Sequence, residues 1–129
     1  MRRFFSLLLL ITVFSCYDTE RNCNAFKTGE FEFDYTINGV KKTGRFIRTE
    51  TLNIDYYENN IDTSTVRWIN DCEFILKKLN PKTNAEKDAI HMKILSTSGT
   101  SSYTFEYKLV VNKPNRPQRI EKGVAYKIN

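Results

Sequence analysis

The sequence predicts an all-β domain: an antiparallel meander of about eight strands that closes into a small barrel or half-barrel, with a β-sandwich as the alternative. Three observations predict it. From residue 30 onward, apolar and polar residues alternate with period two rather than 3.6. Polar clusters, Asn38-Gly39 first among them, interrupt that alternation at hairpin-like intervals. No heptad, internal repeat or linker divides the rest, and 129 residues suit a single domain.

The chain opens Met1-Arg2-Arg3, and Phe4 to Ser15 then runs apolar with only Ser6, Thr12 and Ser15 as polar interruptions. A positive start followed by a short apolar run is the pattern of a secretory signal. The run is well short of the roughly 20 residues a spanning helix needs. Residues 1–15 are therefore read as a signal peptide. Val13-Phe14-Ser15-Cys16 resembles a lipobox, in which the cysteine is acylated after cleavage. Cys16 is the expected lipidation site, residues 16–24 the lipidated tether and 25–129 the barrel-like domain. Acylation with several chains exceeds the two signals needed for stable anchoring. Tyr17, rather than Asp, follows Cys16, which points to the outer membrane, with the domain facing the periplasm or the surface.

The strands follow in order. Phe31, Phe33, Tyr35 and Ile37 alternate with Glu30, Glu32, Asp34 and Thr36. Asn38-Gly39 is the preferred pair for a type I′ hairpin turn, because both positions need positive φ. A second strand begins near Val40, bends at Gly44 and continues through Phe46 to Arg48. Leu52, Ile54 and Tyr56 mark a third, ended by Glu58-Asn59-Asn60. Thr65 to Ile69 forms a fourth with Trp68, the single tryptophan, and Asn70-Asp71 turns the chain. Cys72, Phe74 and Leu76 give a fifth. Residues 80–88 are polar, contain Pro81 and allow a helical turn near Ala85. Ile90, Met92 and Ile94 resume the alternation. After the Ser/Thr-rich turn at 96–102, Tyr103, Phe105, Tyr107, Leu109 and Val111 form the longest clean alternation. A proline-containing loop over 112–117 leads to Val124, Tyr126 and Ile128. Neighbours in sequence usually pair, hence the meander. The C-terminal strand near Tyr126 is a possible free edge, open to a partner's strand.

Beyond Cys16 the cysteines are Cys23 and Cys72. An oxidising envelope permits one bond, Cys23–Cys72; two separate buried thiols are the alternative. No Cys-x-x-Cys spacing suggests a redox role. The formal charge of +5 falls by two when Arg2 and Arg3 leave, which gives no case for nucleic acid.

Catalytic signatures are missing. His91, the single histidine, has opposite parity to Ile90, Met92 and Ile94, as an outward strand residue does. No Gly-x-Ser-x-Gly motif and no glycine-rich phosphate loop occurs. Glu30, Glu32 and Asp34 share one strand face and read as solvated charge. Arg48 with Glu50, and Arg67 with Glu73, are potential structural pairs. No catalytic residue, metal ligand or cofactor is assigned, and a non-enzymatic role is expected.

Aromatic residues are plentiful at 13%. Phe31, Phe33, Tyr35, Trp68, Phe74, Tyr103, Phe105 and Tyr107 are the inward candidates. They either fill a packed core or line a cavity for a hydrophobic molecule.

Cys23-Asn-Ala-Phe-Lys-Thr-Gly-Glu-Phe31, Arg48-Thr-Glu50 and Arg67-Trp-Ile-Asn-Asp-Cys-Glu-Phe74, behind a lipobox, resemble small Bacteroidota-type envelope lipoproteins. The likeness covers mainly residues 23–76. It implies a lipocalin-like or half-barrel domain and adds no catalytic residues. The expected partners are the membrane, through the anchor, and an envelope protein or a small hydrophobic molecule. The expected role is non-catalytic binding or structure, with carriage or sensing of a hydrophobic ligand as the alternative.

Overall fold

The computed structural model describes residues 21–129. The signal peptide, the lipobox and Cys16 lie outside those residues. Eight antiparallel strands run in chain order around a closed barrel: β1 (Gly29–Ile37), β2 (Val40–Arg48), β3 (Leu52–Tyr57), β4 (Asn60–Trp68), β5 (Glu73–Lys78), β6 (Ile90–Ser98), β7 (Ser102–Leu109) and β8 (Glu121–Lys127). The fold is thus the small lipocalin-like barrel rather than a sandwich.

Local chemistry accounts for the turns. Asn38 and Gly39 both have positive φ, as the type I′ hairpin between β1 and β2 requires. Glu58 and Asn59 do the same between β3 and β4, which lets β4 start at Asn60, well before the β-branched run at Thr65. The polar stretch before β6 holds one 3-10 turn, Ala85–Lys87.

Closure corrects one expectation. Tyr126 is not on a free edge, because β8 pairs with β7 on one side and β1 on the other, with Glu32 opposite Tyr126. Joining the first strand to the last satisfies backbone groups that an open sheet would leave unpaired.

Two glycines let the wall close tightly over aromatic rings. Phe33 stands opposite Gly44 and Phe105 opposite Gly123. Each ring lies across the glycine; a Cβ at Gly123 would sit 2.7 Å from Phe105 Cζ. Side chains at these points would force the rings out of place.

The two ends of the barrel differ. At one end a 3-10 helix, Cys23–Phe26, plugs the interior. Phe26 is completely buried against Phe31 and Tyr103, in a core that also holds Phe46, Ile94 and Ala125. The Cys23–Cys72 disulfide ties the plug to the turn before β5, with Cα atoms 5.3 Å apart. Arg21 Nη1 donates to the Ile94 carbonyl at 3.0 Å, and Lys127 Nζ to the Ala25 carbonyl at 2.6 Å. The segment assigned as tether therefore ends inside the domain: Cys23 is buried, and Arg21 and Asn22 are already bonded to β6. The opposite end carries the two tight hairpin turns and the long loops before β6 and β8.

Candidate ligand-binding site

Alternation decides what each strand sends inward, and cross-strand pairing carries the parity around the barrel. Phe31 faces Phe46, and Phe46 faces Asp55 on β3. Arg48 faces Asn53, Asn53 faces Ser64, and Asp55 faces Asp62. The register therefore turns Leu52, Ile54 and Tyr56 to the outer surface and brings Asn53, Asp55 and Tyr57 inside. From β5 to β7, the inward set includes Phe74, Leu76, Ile90, Met92, Ile94, Tyr103, Phe105 and Tyr107.

Above the plug these residues enclose a half-open cavity of about 590 Å³. That lies within the roughly 300–1,000 Å³ usual for small-molecule sites. Its apolar wall includes Phe46, Leu76, Ile90 and Met92; its buried polar wall is Arg48, Asn53 and Asp55, and Asp34, Thr36, Glu121 and Lys122 add polar groups around the rest of the lining. Of the eight aromatic candidates, Phe33, Tyr35, Tyr103, Phe105 and Tyr107 reach the cavity. Phe31 and Phe74 are buried in packed clusters, and Trp68 packs tilted against Phe74 at 4.5 Å between ring centres. The polar wall was invisible to an aromatic count. The inward parity of Arg48 and Asn53 follows only from the register.

Arg48 is the hub of the floor and only 3% exposed. Its Nε donates to Asn53 Oδ1 at 3.1 Å, Nη1 to the Phe26 carbonyl at 3.0 Å and Nη2 to the Tyr103 hydroxyl at 3.0 Å. The guanidinium also faces the rings of Phe74 and Phe46, at 4.5 and 5.1 Å. All three acceptors are neutral. Among the described residues no carboxylate forms an ion pair with Arg48; Glu50, the partner suggested by sequence spacing, is exposed in the β2–β3 turn. The polar row continues from Asn53, whose Nδ2 donates to both Asp55 oxygens at 3.1 Å.

Asp55 and its cross-strand neighbour Asp62 are pushed in opposite directions. Burial raises Asp55 from an ordinary 3.8 to about 6, against the opposing effects of the Asn53 hydrogen bond and the Arg48 charge. Asp62 is lowered, chiefly because the Tyr57 hydroxyl donates to it at 2.5 Å, with Lys78 assisting. Lys78 in turn bridges Asp62 and Glu86 at 3.4 and 2.9 Å. The folded protein holds a proton on Asp55 more tightly than the unfolded chain does. Its contribution to stability is therefore complete below about pH 4 and lost as pH rises through about 6. Asp55→Asn is expected to stabilise the protein by about 2–3 kcal/mol at pH 8 and hardly at pH 4. Urea midpoints at the two pH values check this; equal gains at both would contradict it.

Of the carboxylates named from the sequence, Asp34 touches the cavity from an exposed position and the others lie outside it. Glu30 pairs with Arg45, and Asp34 with Lys41 at 3.3 Å. His91 Nε2 lies 3.0 Å from Glu73 Oε1 on the outer face of neighbouring strands. Among the described residues no group of three His, Cys, Asp or Glu side chains is placed to hold a metal ion. Asp55 and Asp62 stand side by side on paired strands, not across a cleft as glycoside hydrolysis requires.

Compared with family models, curated proteins and solved structures, the chain matches none.

Proposed function

We propose that this protein is an envelope lipoprotein, anchored in the outer membrane through Cys16, whose barrel binds a small hydrophobic or amphiphilic molecule without transforming it. One observation carries the binding reading: a half-open cavity of about 590 Å³ with a mostly apolar lining and a polar row at Arg48, Asn53 and Asp55 on its floor. Small-molecule sites combine an apolar body with a few convergent polar groups in this way. The anchor rests on the lipobox. The N-terminal segment enters the barrel at the plugged end, so a tether there leaves the open end directed away from the membrane.

Native mass spectrometry of protein purified from its own envelope, with Cys16→Ser to prevent acylation, tests the binding reading. A discrete additional mass is expected, and Ile90→Trp, which fills the cavity from β6, is expected to abolish it. A bare protein that also leaves the neutral probe N-phenyl-1-naphthylamine dark would overturn it. Labelling with radioactive palmitate, lost in Cys16→Ser, tests the anchor separately.

A further inference from the structure

The polar row restricts the chemistry of the ligand, given that the cavity is a binding site. Arg48 cannot shed its charge by deprotonation in a protein. It sits among aromatic rings at the cavity floor, with three neutral hydrogen-bond acceptors and, among the described residues, no carboxylate paired with it. A guanidinium carries five N–H donors, so two remain beyond the three hydrogen bonds formed. Asp55, at the other end of the row, is different: protonation can remove its charge.

We propose that the cavity takes up a single-chain amphiphile with an anionic head, the head seated at the Arg48–Asn53–Asp55 row, and that uptake brings one proton onto Asp55. Several observations support this. The permanent charge of the row is positive, and charges in a weakly screened interior act more strongly than in water. The charged groups acting on Asp55 are Arg48 from β2, Asp62 from β4 and Lys78 from β5. Lys78 is already bridged to the carboxylates of Asp62 and Glu86, so its charge is compensated. On the far wall Tyr107 is uncharged at neutral pH, and Glu121 is paired with Arg119 at 3.2 Å. Asp34, paired with Lys41, and Lys122 reach the cavity only from exposed positions on β1 and β8, where water screens them. At the buried floor an incoming anion meets one cation without an ion-pair partner, Arg48, and one removable negative charge, Asp55. Burial already favours the protonated acid there, and a second anion alongside drives it further. A cationic head would meet the fixed charge of Arg48 instead.

Isothermal titration calorimetry of the purified protein compares three amphiphiles of equal chain length: dodecanesulfonate, dodecanol and dodecyltrimethylammonium. Dodecanesulfonate stays ionised at every working pH. It is expected to bind at least tenfold more tightly than the other two, and several-fold more tightly at pH 5.5 than at pH 8. Repeating the titration in buffers of different ionisation enthalpy is expected to show proton uptake near pH 7. Asp55→Asn, whose folding is checked by its urea midpoint, is expected to remove both the uptake and the pH dependence. If dodecanol or the ammonium binds as well as the sulfonate, the anionic assignment fails while the cavity remains a binding site. If none of the three binds, the binding reading itself fails. A pH dependence unchanged in Asp55→Asn overturns the proton linkage.

Discussion

Arg48→Met is expected to destabilise the fold by about 3 kcal/mol. Methionine keeps much of the length and the apolar stem but removes every donor. The Phe26 carbonyl and Asn53 Oδ1 are left unsatisfied in buried surroundings, at about 1–3 kcal/mol each. The contacts of the guanidinium with four aromatic rings are lost as well, typically worth about 0.5–2 kcal/mol. Relief from burying an unpaired cation offsets part of this, which keeps the expected value near 3. The loss should be local at first. The Phe26 carbonyl is the plug's link to β2, so hydrogen exchange at residues 23–27 should quicken more than exchange in β4 or β5. Urea titration and exchange measurements check both statements. A midpoint unchanged from the parent would mean that Arg48 is not what holds the plug. Arg48→Lys is expected to rescue little, because one ammonium cannot span three acceptors on the plug, β3 and β7.

Removing the disulfide with Cys23→Ala and Cys72→Ala together is expected to lower stability by on the order of 4 kcal/mol. The bond closes a loop with a sequence separation of 49, and the chain-entropy relation for a loop of that length gives this magnitude. Domains of this kind have a total of only about 5–15 kcal/mol, so the loss would remove roughly a quarter to four-fifths of it. The bond also fixes the plug to the β4–β5 turn, leaving the contacts of Phe26, the Arg48 bond and the Lys127 bond to hold it. Denaturant unfolding of the double variant against the oxidised parent measures the effect. A loss under 1 kcal/mol would show that those remaining contacts confine the segment by themselves.

Most of the architecture was legible in the residues. Phe31 to Ile37 and Tyr103 to Leu109 alternate so regularly that strand and inward face could both be assigned, and Asn38-Gly39 announced its hairpin. The pairing of Cys23 with Cys72 was the simple choice once Cys16 was set aside. The site was only half legible. Five of the eight aromatic candidates line the cavity, while Phe31, Trp68 and Phe74 went into the packing at and near the plug. Arg48, Asn53 and Asp55 were missed as a site because β3 reads as an apolar strand through Leu52, Ile54 and Tyr56. Alternation has two faces, and composition does not say which one a closed barrel turns inward.

The sequence by itself determined the strand periods, the turns that join neighbours into a meander, and the one pair of cysteines left to bond once Cys16 is set aside. These depend on local φ preferences, on period-two patterning and on a count of cysteines. Only the tertiary structure decided that β1 closes onto β8, that Cys23–Phe26 seals one end, and that a buried cation stands at the floor of a hollow. Each of these depends on register between strands. Pairing Phe46 with Asp55 and Arg48 with Asn53 carries a polar face into the interior, and a shift of one residue would have exchanged it for the apolar face.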